Sequence, residues 1–244
     1  MLSHLKFFTA IFLIVTVSAC KKDVIPPKPI TLINIVNAAI GVPGIKVNTT
    51  GGGAFSYFDA PEVLYGSRKI YGVPRTNFSL SVVASADTTK FLVNKSFNFT
   101  AGWYSLFIAG QSPNIDTILK EETNFPFIRT DVINTTADSS VNVRFVNLSP
   151  NSVPVKIKIT NAVVNEVDNL PYKSISDWKN YKATASSTTY SFQIRNAVTD
   201  ALIFTYSFAA NSTNRFKNVT LIIKGLQGTT SGTSAFGVFA VNYF

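Results

Sequence analysis

The stretch VNVRFVN, residues 141–147, carries valine, valine and phenylalanine at alternate positions, with an asparagine and an arginine between them. The stretch FSLSV, residues 78–82, alternates apolar residues with serine in the same way. A period of two is typical of a strand that turns one face to a core. Gly, Pro, Asn and Asp turn signals separate such stretches, and helix-forming runs are absent. The sequence therefore predicts an all-β fold of immunoglobulin-like antiparallel β-sandwich type.

The chain also contains an internal repeat. Residues 33–37, INIVN, match residues 143–147, VRFVN, at an offset of 110 residues. Three further matches follow in the same order: 64–67 with 170–174, 78–82 with 190–194, and 104–110 with 219–225. Four collinear matches indicate a duplication, and hence two tandem sandwiches.

These matches set the predicted domain boundaries. The first sandwich is assigned to residues 31–125 and the second to residues 140–244, with a polar linker without periodicity at 126–139. No internal disulfide is possible, so aromatic and aliphatic side chains must fill both cores. Because residues 140–244 hold one complete repeat with its own aromatics, we expect them to fold alone as a β-rich unit.

The amino terminus has the three parts of a signal peptide, predicted at residues 1–19. Lys6 precedes an apolar stretch at residues 7–17, and two small residues lead to Cys20. Eleven residues of helix rise only roughly 16 Å, too short to cross a bilayer core. The small residues before Cys20 resemble the lipobox of bacterial lipoproteins, which implies cleavage before Cys20 and lipidation of its thiol. An ordinary secretory signal, or a buried free thiol, is the alternative.

Residues 20–30 are predicted to form the anchor and its tether. Cys20 is the only cysteine of the chain, and Pro26, Pro27 and Pro29 favour an extended spacer. Several acyl chains on one cysteine make membrane attachment stable. Lys21, Lys22 and Asp23 resemble the surface-export signal of Bacteroidetes lipoproteins. We expect an outer-membrane location, exposed at the cell surface or facing the periplasm.

Composition limits the chemistry of the mature chain. The sole histidine, His4, lies in the predicted signal peptide, so none remains after cleavage. This excludes Ser-His-Asp and Cys-His catalysis, and metal or haem sites with histidine or cysteine ligands. We therefore expect no metal, no cofactor and no enzymatic activity.

The mature chain is basic, with 21 lysines and arginines against 13 acidic residues, a net charge of +8. The basic residues are scattered and form no dense run, and the chain is predicted to be exported, so nucleic acid is not an expected partner. An acidic polysaccharide or anionic lipid headgroups fit this charge better. A solvated surface without a partner explains it equally well.

The motifs shared by the two repeats resemble the lipoprotein-associated family known as domain of unknown function 4397. The resemblance covers most of residues 31–225 and is carried by IVNA at 35–38, FVNLSP at 145–150, LYGS at 64–67, Val73-Pro74 and YSLFIAG at 104–110. The second repeat departs from the pattern, because Asn180-Tyr181-Lys182 replaces the Val-Pro element. These are packing motifs, so the family implies a sandwich fold and an envelope address but no established activity.

Two kinds of surface site are predicted. Phe55, Tyr57 and Phe58 follow the glycines of residues 51–53, and aromatics beside a mobile hairpin tip can stack on sugar rings; packing in the core is the alternative. Thr88 and Thr117 stand in Asp-Thr-Thr and Asp-Thr-Ile triplets. These triplets resemble the O-glycosylation sequon of Bacteroidetes.

Three functions remain open at this point. The first is a non-enzymatic envelope lipoprotein that presents its sandwiches as a structural or adhesive module, with an envelope protein or polysaccharide as partner. The second is a carbohydrate-binding accessory protein of a polysaccharide-uptake system. The third is a glycoside hydrolase that uses a carboxylate pair. The near pairs are Asp59 with Glu62, Glu121 with Glu122, and Glu166 with Asp168.

Overall fold

The computed structural model describes residues 31–51, 54–73, 77–123, 139–184, 186 and 188–243. These residues form sixteen β-strands and no helix. The strands are β1 (Thr31–Asn37), β2 (Gly44–Asn48), β3 (Glu62–Leu64), β4 (Ser67–Val73), β5 (Asn77–Ala84), β6 (Asp87–Asn98), β7 (Gly102–Gln111), β8 (Asn114–Glu121), β9 (Ser140–Asn147), β10 (Val155–Ile159), β11 (Asn165–Leu170), β12 (Lys179–Lys182), β13 (Thr188–Asn196), β14 (Leu202–Ala210), β15 (Asn218–Lys224) and β16 (Gly237–Tyr243).

The strands form two sandwiches with the same topology. The first has sheets ordered β4-β1-β7-β8 and β3-β2-β5-β6, and the second has sheets ordered β12-β9-β15-β16 and β11-β10-β13-β14. Each strand of the second sandwich stands eight places after its counterpart in the first. The predicted all-β fold of two tandem sandwiches is confirmed. The predicted linker at 126–139 lies, apart from Ser139, outside the described residues.

One strand pair in each sandwich is parallel, so the sheets are not wholly antiparallel as predicted. β1 pairs with β7, and β9 pairs with β15, in parallel register. Parallel neighbours need a long crossover connection, and strands β2 to β6 and β10 to β14 supply it. The resulting strand order differs from the ABED and CFG sheets of constant-type immunoglobulin domains.

Each sandwich has its own core, formed by the alternate residues that the sequence pattern picked out. Ile33 and Ile35 of β1 are buried in the first core, and Val143 and Phe145 of β9 are buried in the second. Aromatics supply much of the volume, as predicted. Phe192, for example, has edge-on ring contacts with Phe145 at 5.1 Å between centroids.

Asn37 and Asn147, which are aligned in the match of residues 33–37 with 143–147, have the same role in the two sandwiches. The side-chain nitrogen of Asn37 donates to the carbonyl of Val63 at 3.2 Å, and that of Asn147 donates to the carbonyl of Leu170 at 3.0 Å. In both cases the side-chain oxygen accepts the backbone N–H two residues on. A buried amide that satisfies the backbone in this way fixes the turn after the strand.

The two sandwiches pack against each other through the outer faces of β4-β1-β7-β8 and β12-β9-β15-β16. Apolar side chains from both sheets form a third core cluster, made of Val36, Ala38, Phe107, Ala109, Val146, Leu148, Ile222, Val241 and Tyr243. The central strands of these sheets, β1, β7, β9 and β15, are consequently buried on both faces, and every residue of β9 is buried. The four sheets therefore stack in four layers, with the middle two in contact.

The part of the chain that the structure describes contains no helix with the length and apolar character needed to cross a bilayer. Cys20 and the predicted signal peptide at residues 1–19 lie outside the described residues.

Candidate functional site

The outer face of the β3-β2-β5-β6 sheet carries polar side chains, because the alternate residues point into the first core. Asn48 of β2 pairs with Ser81 of β5, and Ser81 pairs with Asn94 of β6. Their strand neighbours Val47 and Leu80 are buried in the core. Successive side chains of a strand point to opposite faces, so the three polar groups lie side by side on the outer face.

The connection between β2 and β3 crosses this polar face and is held there by hydrogen bonds. The amino group of Lys46 donates to the carbonyl oxygens of Tyr57 at 2.8 Å and Phe58 at 3.0 Å. The hydroxyl of Tyr57 lies 2.8 Å from the hydroxyl of Ser81. The backbone and the ring of Tyr57 are therefore both fixed against the sheet.

A cleft of about 260 Å³ opens between this connection and the sheet. It is lined by Asn48, Phe55, Tyr57, Ser79, Ser81, Phe91 and Asn94. The rings of Phe55 and Tyr57 meet edge to face at 5.0 Å between centroids. Phe91 of β6 is a large apolar side chain left 58% exposed. Three aromatic rings thus stand beside amide and hydroxyl groups, and the lining carries no charged side chain.

The structure brings together two of the three predicted stacking residues. Phe55 and Tyr57 line the cleft, whereas Phe58 lies outside its lining and is 88% exposed. The carbonyl of Phe58 accepts a hydrogen bond from Lys46, and its side chain is turned to solvent. Of the neighbouring glycines, Gly51 has a φ of 82°, and residues 52–53 lie outside the described residues.

Sequence reasoning missed Phe91, the third aromatic of the cleft. Phe91 follows four polar or charged residues, Asp87 to Lys90, in strand β6. It pairs with Val83 across a register shift. An aromatic residue after so polar a run was a usable signal of an exposed ring.

The two predicted glycosylation residues differ in exposure. Thr88 is exposed on β6. Thr117 on β8 is half-buried, and its hydroxyl accepts a hydrogen bond from the amino group of Lys95 at 3.2 Å. Modification of either hydroxyl remains a prediction.

The three carboxylate pairs do not line the aromatic cleft. Glu166 accepts a hydrogen bond from the hydroxyl of Tyr181 at 2.7 Å and forms an ion pair with Lys179 at 3.4 Å. Burial, and then Glu166, raise the pKa of Tyr181. Asp59 and Glu62 are exposed, as is Asp168, which accepts a hydrogen bond from Asn165.

Glu121 and Glu122 are adjacent in the chain but contact different partners. Glu121 accepts a hydrogen bond from Thr100 at 3.2 Å and is exposed. Glu122 is buried between the sandwiches and accepts hydrogen bonds from both terminal nitrogens of Arg144, one of them at 2.8 Å. The two carboxylates therefore do not act as a pair.

Arg144 is the centre of a buried polar cluster between the sandwiches. Its Nε donates to the hydroxyl of Thr220 at 3.0 Å, and its guanidinium lies 4.3 Å from the centre of the Trp178 ring. Burial alone would lower the pKa of Arg144, but the hydrogen bonds and the charge of Glu122 contribute to a net rise. A buried cation that is paired with a carboxylate and donates a hydrogen bond from each of its three nitrogens joins the two sandwiches.

No group of three or more histidine, cysteine or acidic side chains that could hold a metal ion occurs among the residues that the structure describes.

No family model matches the chain, and no curated protein matches it. Among solved structures, the chain is similar to the CBM26 carbohydrate-binding module of Amy13K from Eubacterium rectale, solved in complex with maltoheptaose. The identity is 11% and the TM-score 0.25, over 88% of this chain and 96% of that one. A candidate adhesin from Bacteroides ovatus is similar at 10% identity and a TM-score of 0.24, over 92% of this chain and 96% of that one. At such TM-scores neither likeness bears on the function of this chain.

Proposed function

We propose that the protein is a non-catalytic cell-envelope lipoprotein whose first sandwich binds a neutral carbohydrate in the cleft beside Phe55, Tyr57 and Phe91. The observation that carries the proposal is the lining of that cleft, which combines three aromatic rings with amides and hydroxyls and has no charged side chain. The resemblance to the domain of unknown function 4397 family agrees with an envelope address, and membership of that family is part of the proposal.

The chemistry of the lining suits a sugar ring. A pyranose presents a face of C–H groups and a rim of hydroxyls, so it needs an apolar surface and a few polar groups that fix its orientation. Tyr57 and Phe91 offer the apolar surface, and Asn48 and Asn94 offer both donors and acceptors. The cleft is slightly smaller than the roughly 300–1,000 Å³ of pockets for drug-sized ligands, which fits a single sugar unit of a longer chain.

The same lining supports binding without turnover. Glycoside hydrolysis uses two carboxylates on either side of the scissile bond, and the cleft is lined by neither aspartate nor glutamate. The carboxylates of the predicted pairs lie elsewhere, and Glu166 and Glu122 are engaged in ion pairs.

Replacing Phe91 with alanine is expected to weaken binding of a neutral polysaccharide roughly 5–30-fold, because it removes an aromatic wall worth about 1–2 kcal/mol. Affinity electrophoresis and calorimetry with soluble starch, mixed-linkage β-glucan and xylan measure the effect. Phe58→Ala is the matched control, since Phe58 is an exposed ring outside the cleft lining. Failure of the unmodified protein to bind any of the three glycans, or equal binding by Phe91→Ala, would contradict the proposal.

A different surface of the protein would support adhesion through contacts with another protein. The hairpin between β10 and β11 exposes Val163 by 94% and Val164 by 75% at its tip. If adhesion depends on this tip, the double change Val163→Ser and Val164→Ser reduces attachment of cells that display the protein. The cleft variant Phe91→Ala then leaves attachment unchanged.

We propose further that Cys20 carries the lipid that holds the protein on the outer membrane. Cys20→Ala is expected to give a protein that is exported but not retained by membranes, because the acyl chains are the anchor. Membrane fractionation and metabolic labelling with a clickable fatty acid measure retention and acylation. A Cys20→Ser variant should behave in the same way, and firm attachment of either variant would refute the lipid anchor.

A further inference from the structure

The two sandwiches meet along two seams that the duplication makes equivalent. At one seam, β8 of the first sandwich lies against the chain that enters β12 of the second, as the contacts of Asp116 with Tyr172 and Lys173 show. At the other seam, β4 of the first sandwich lies beside β16 of the second. Because β4 corresponds to β12 and β8 to β16, each seam is a counterpart of the other. We call them the acidic seam and the basic seam.

Cations at the acidic seam are neutralised by carboxylates. Lys173 forms an ion pair with one carboxylate oxygen of Asp116. The other oxygen accepts a hydrogen bond from the hydroxyl of Tyr172 at 3.0 Å. The hydrogen bond from Lys173 is the main reason that the pKa of Asp116 is lowered. Arg144 is paired with Glu122 in the same seam.

Counterparts of these carboxylates are missing from the basic seam. Ala109 pairs with Asp116, and Trp103 lies opposite Glu122, whereas their matched residues in β15, Lys224 and Asn218, pair with Gly237 and Tyr243. A glycine and a tyrosine therefore stand where the acidic seam has its two acids. Tyr65, the counterpart of Tyr172, has a buried hydroxyl without a hydrogen-bond partner among the described residues.

The basic seam has cations of its own, Arg68 and Lys69, at positions that match Ile175 and Ser176 of the second repeat. Arg68 lies opposite Val36 in the pairing of β4 with β1, which places it on the face turned to the second sandwich. Among the described residues, no carboxylate lies within ion-pair distance of Arg68. Half-burial lowers the pKa of Arg68, but guanidinium stays protonated in proteins. Lys69, next in the strand, is exposed.

A cleft of about 620 Å³ opens at this position between the two edge strands. Its wall from β4 contains Ser67, Arg68 and Lys69, and its wall from β16 contains Asn242. Of the three side chains from β4, that of Arg68 lies on the face turned to the second sandwich and those of Ser67 and Lys69 on the opposite face, and the lining of the cleft includes no acid. A planar guanidinium fork matches the two oxygens of a carboxylate.

We propose that the basic seam binds a carboxylated sugar, the uronic acid unit of an acidic polysaccharide, with the Arg68 guanidinium holding the carboxylate. Asn242 lines the same cleft and offers an amide to sugar hydroxyls. The cleft is broad and open, so it can admit one unit of a chain molecule without enclosing it. This site is separate from the aromatic cleft and does not depend on it.

The test is titration of the purified protein with trigalacturonate, with maltotriose as the uncharged comparison. Arg68→Gln is expected to weaken trigalacturonate binding roughly ten- to hundred-fold, because it removes a charge-assisted hydrogen bond pair. Arg68→Lys should restore part of the affinity. Lys182→Gln is the matched control, since it removes one exposed charge from β12, the counterpart of β4.

Two further measurements separate a binding role from other roles. Arg68→Gln should leave the thermal midpoint unchanged or raised, because none of the described carboxylates pairs with Arg68. A lower midpoint would indicate that Arg68 has a structural role. Phe91→Ala should leave trigalacturonate binding unchanged. The proposal is overturned if trigalacturonate does not bind at millimolar concentration, if Arg68→Gln binds it equally well, or if Arg68 governs binding only to phosphatidylglycerol vesicles or inorganic phosphate.

Discussion

Glu122→Ala is expected to destabilise the protein by about 3–5 kcal/mol, the cost of leaving one partner of a buried ion pair uncompensated. The side chains of Glu122 and Arg144 are 3% and 2% exposed. Without the carboxylate, the guanidinium keeps its contacts with Thr220 and Trp178 but has no negative charge to offset its lost hydration. Urea unfolding followed by tryptophan fluorescence measures the change in the free energy of unfolding.

The neighbouring residue supplies the control. Glu121→Ala removes an exposed carboxylate one position earlier and should change the stability by no more than about 0.5 kcal/mol. The paired replacement Glu122→Leu with Arg144→Met should recover much of the loss, because an apolar pair of similar volume needs no charge compensation. Equal midpoints for Glu122→Ala and the unmodified protein would mean that Arg144 is solvated in solution.

The fold class followed from the sequence because stretches such as residues 78–82 alternate apolar and polar residues, and because four matches between the repeats occur in the same order. The strand order did not follow. Pairing of β1 with β7 in parallel depends on contacts between residues 31–37 and 102–111, which no local pattern encodes. The matched asparagines Asn37 and Asn147 were visible as a repeat, but their role in fixing a turn appears only with their hydrogen bonds.

The contact between the two sandwiches is also visible in the sequence, as apolar residues at consecutive positions of a strand. Ile35-Val36, Phe145-Val146 and Leu221-Ile222-Ile223 interrupt the period of two with apolar residues on the other face. Strands covered on both faces read as continuous apolar runs. Such runs indicate that the outer faces of these sheets are buried, which a chain of two independent domains would not need.

The aromatic cleft was only partly predictable. Phe55 and Tyr57 could be chosen because they stand beside a glycine-rich segment. Phe91 joins them through the pairing of β5 with β6 and the fold of the connection over the sheet. Phe58 is next to Tyr57 in the chain and its carbonyl accepts a hydrogen bond from the same Lys46, yet its ring lies outside the cleft lining. Proximity in sequence was therefore a weak guide to which rings share a surface.

A fragment of residues 140–244 expressed alone is expected to behave differently from the same residues in the whole protein. These residues contain a complete sandwich with its own core, so they are expected to form β-structure. The fragment also exposes the apolar face of Val146, Leu148 and Ile222, which the first sandwich covers in the whole protein. Exposure of each such side chain costs about 1.5–3 kcal/mol. We therefore expect the fragment to associate rather than remain a stable monomer.

The duplication predicts the form of that association. In the whole protein, the apolar face of the fragment is covered by the equivalent face of the first sandwich. A second copy of the fragment can therefore cover this face in a two-fold symmetric dimer. Such a dimer is weaker than the native contact, because the position of Glu122 is occupied by Tyr243 and Arg144 finds no carboxylate there. Circular dichroism should show β-structure, and sedimentation velocity should show a concentration-dependent dimer. Ile222→Asp should make the fragment monomeric, whereas Val163→Asp, at an exposed hairpin tip, should not. A monomeric fragment that unfolds at the same urea concentration as the whole protein would mean that the two sandwiches are energetically independent.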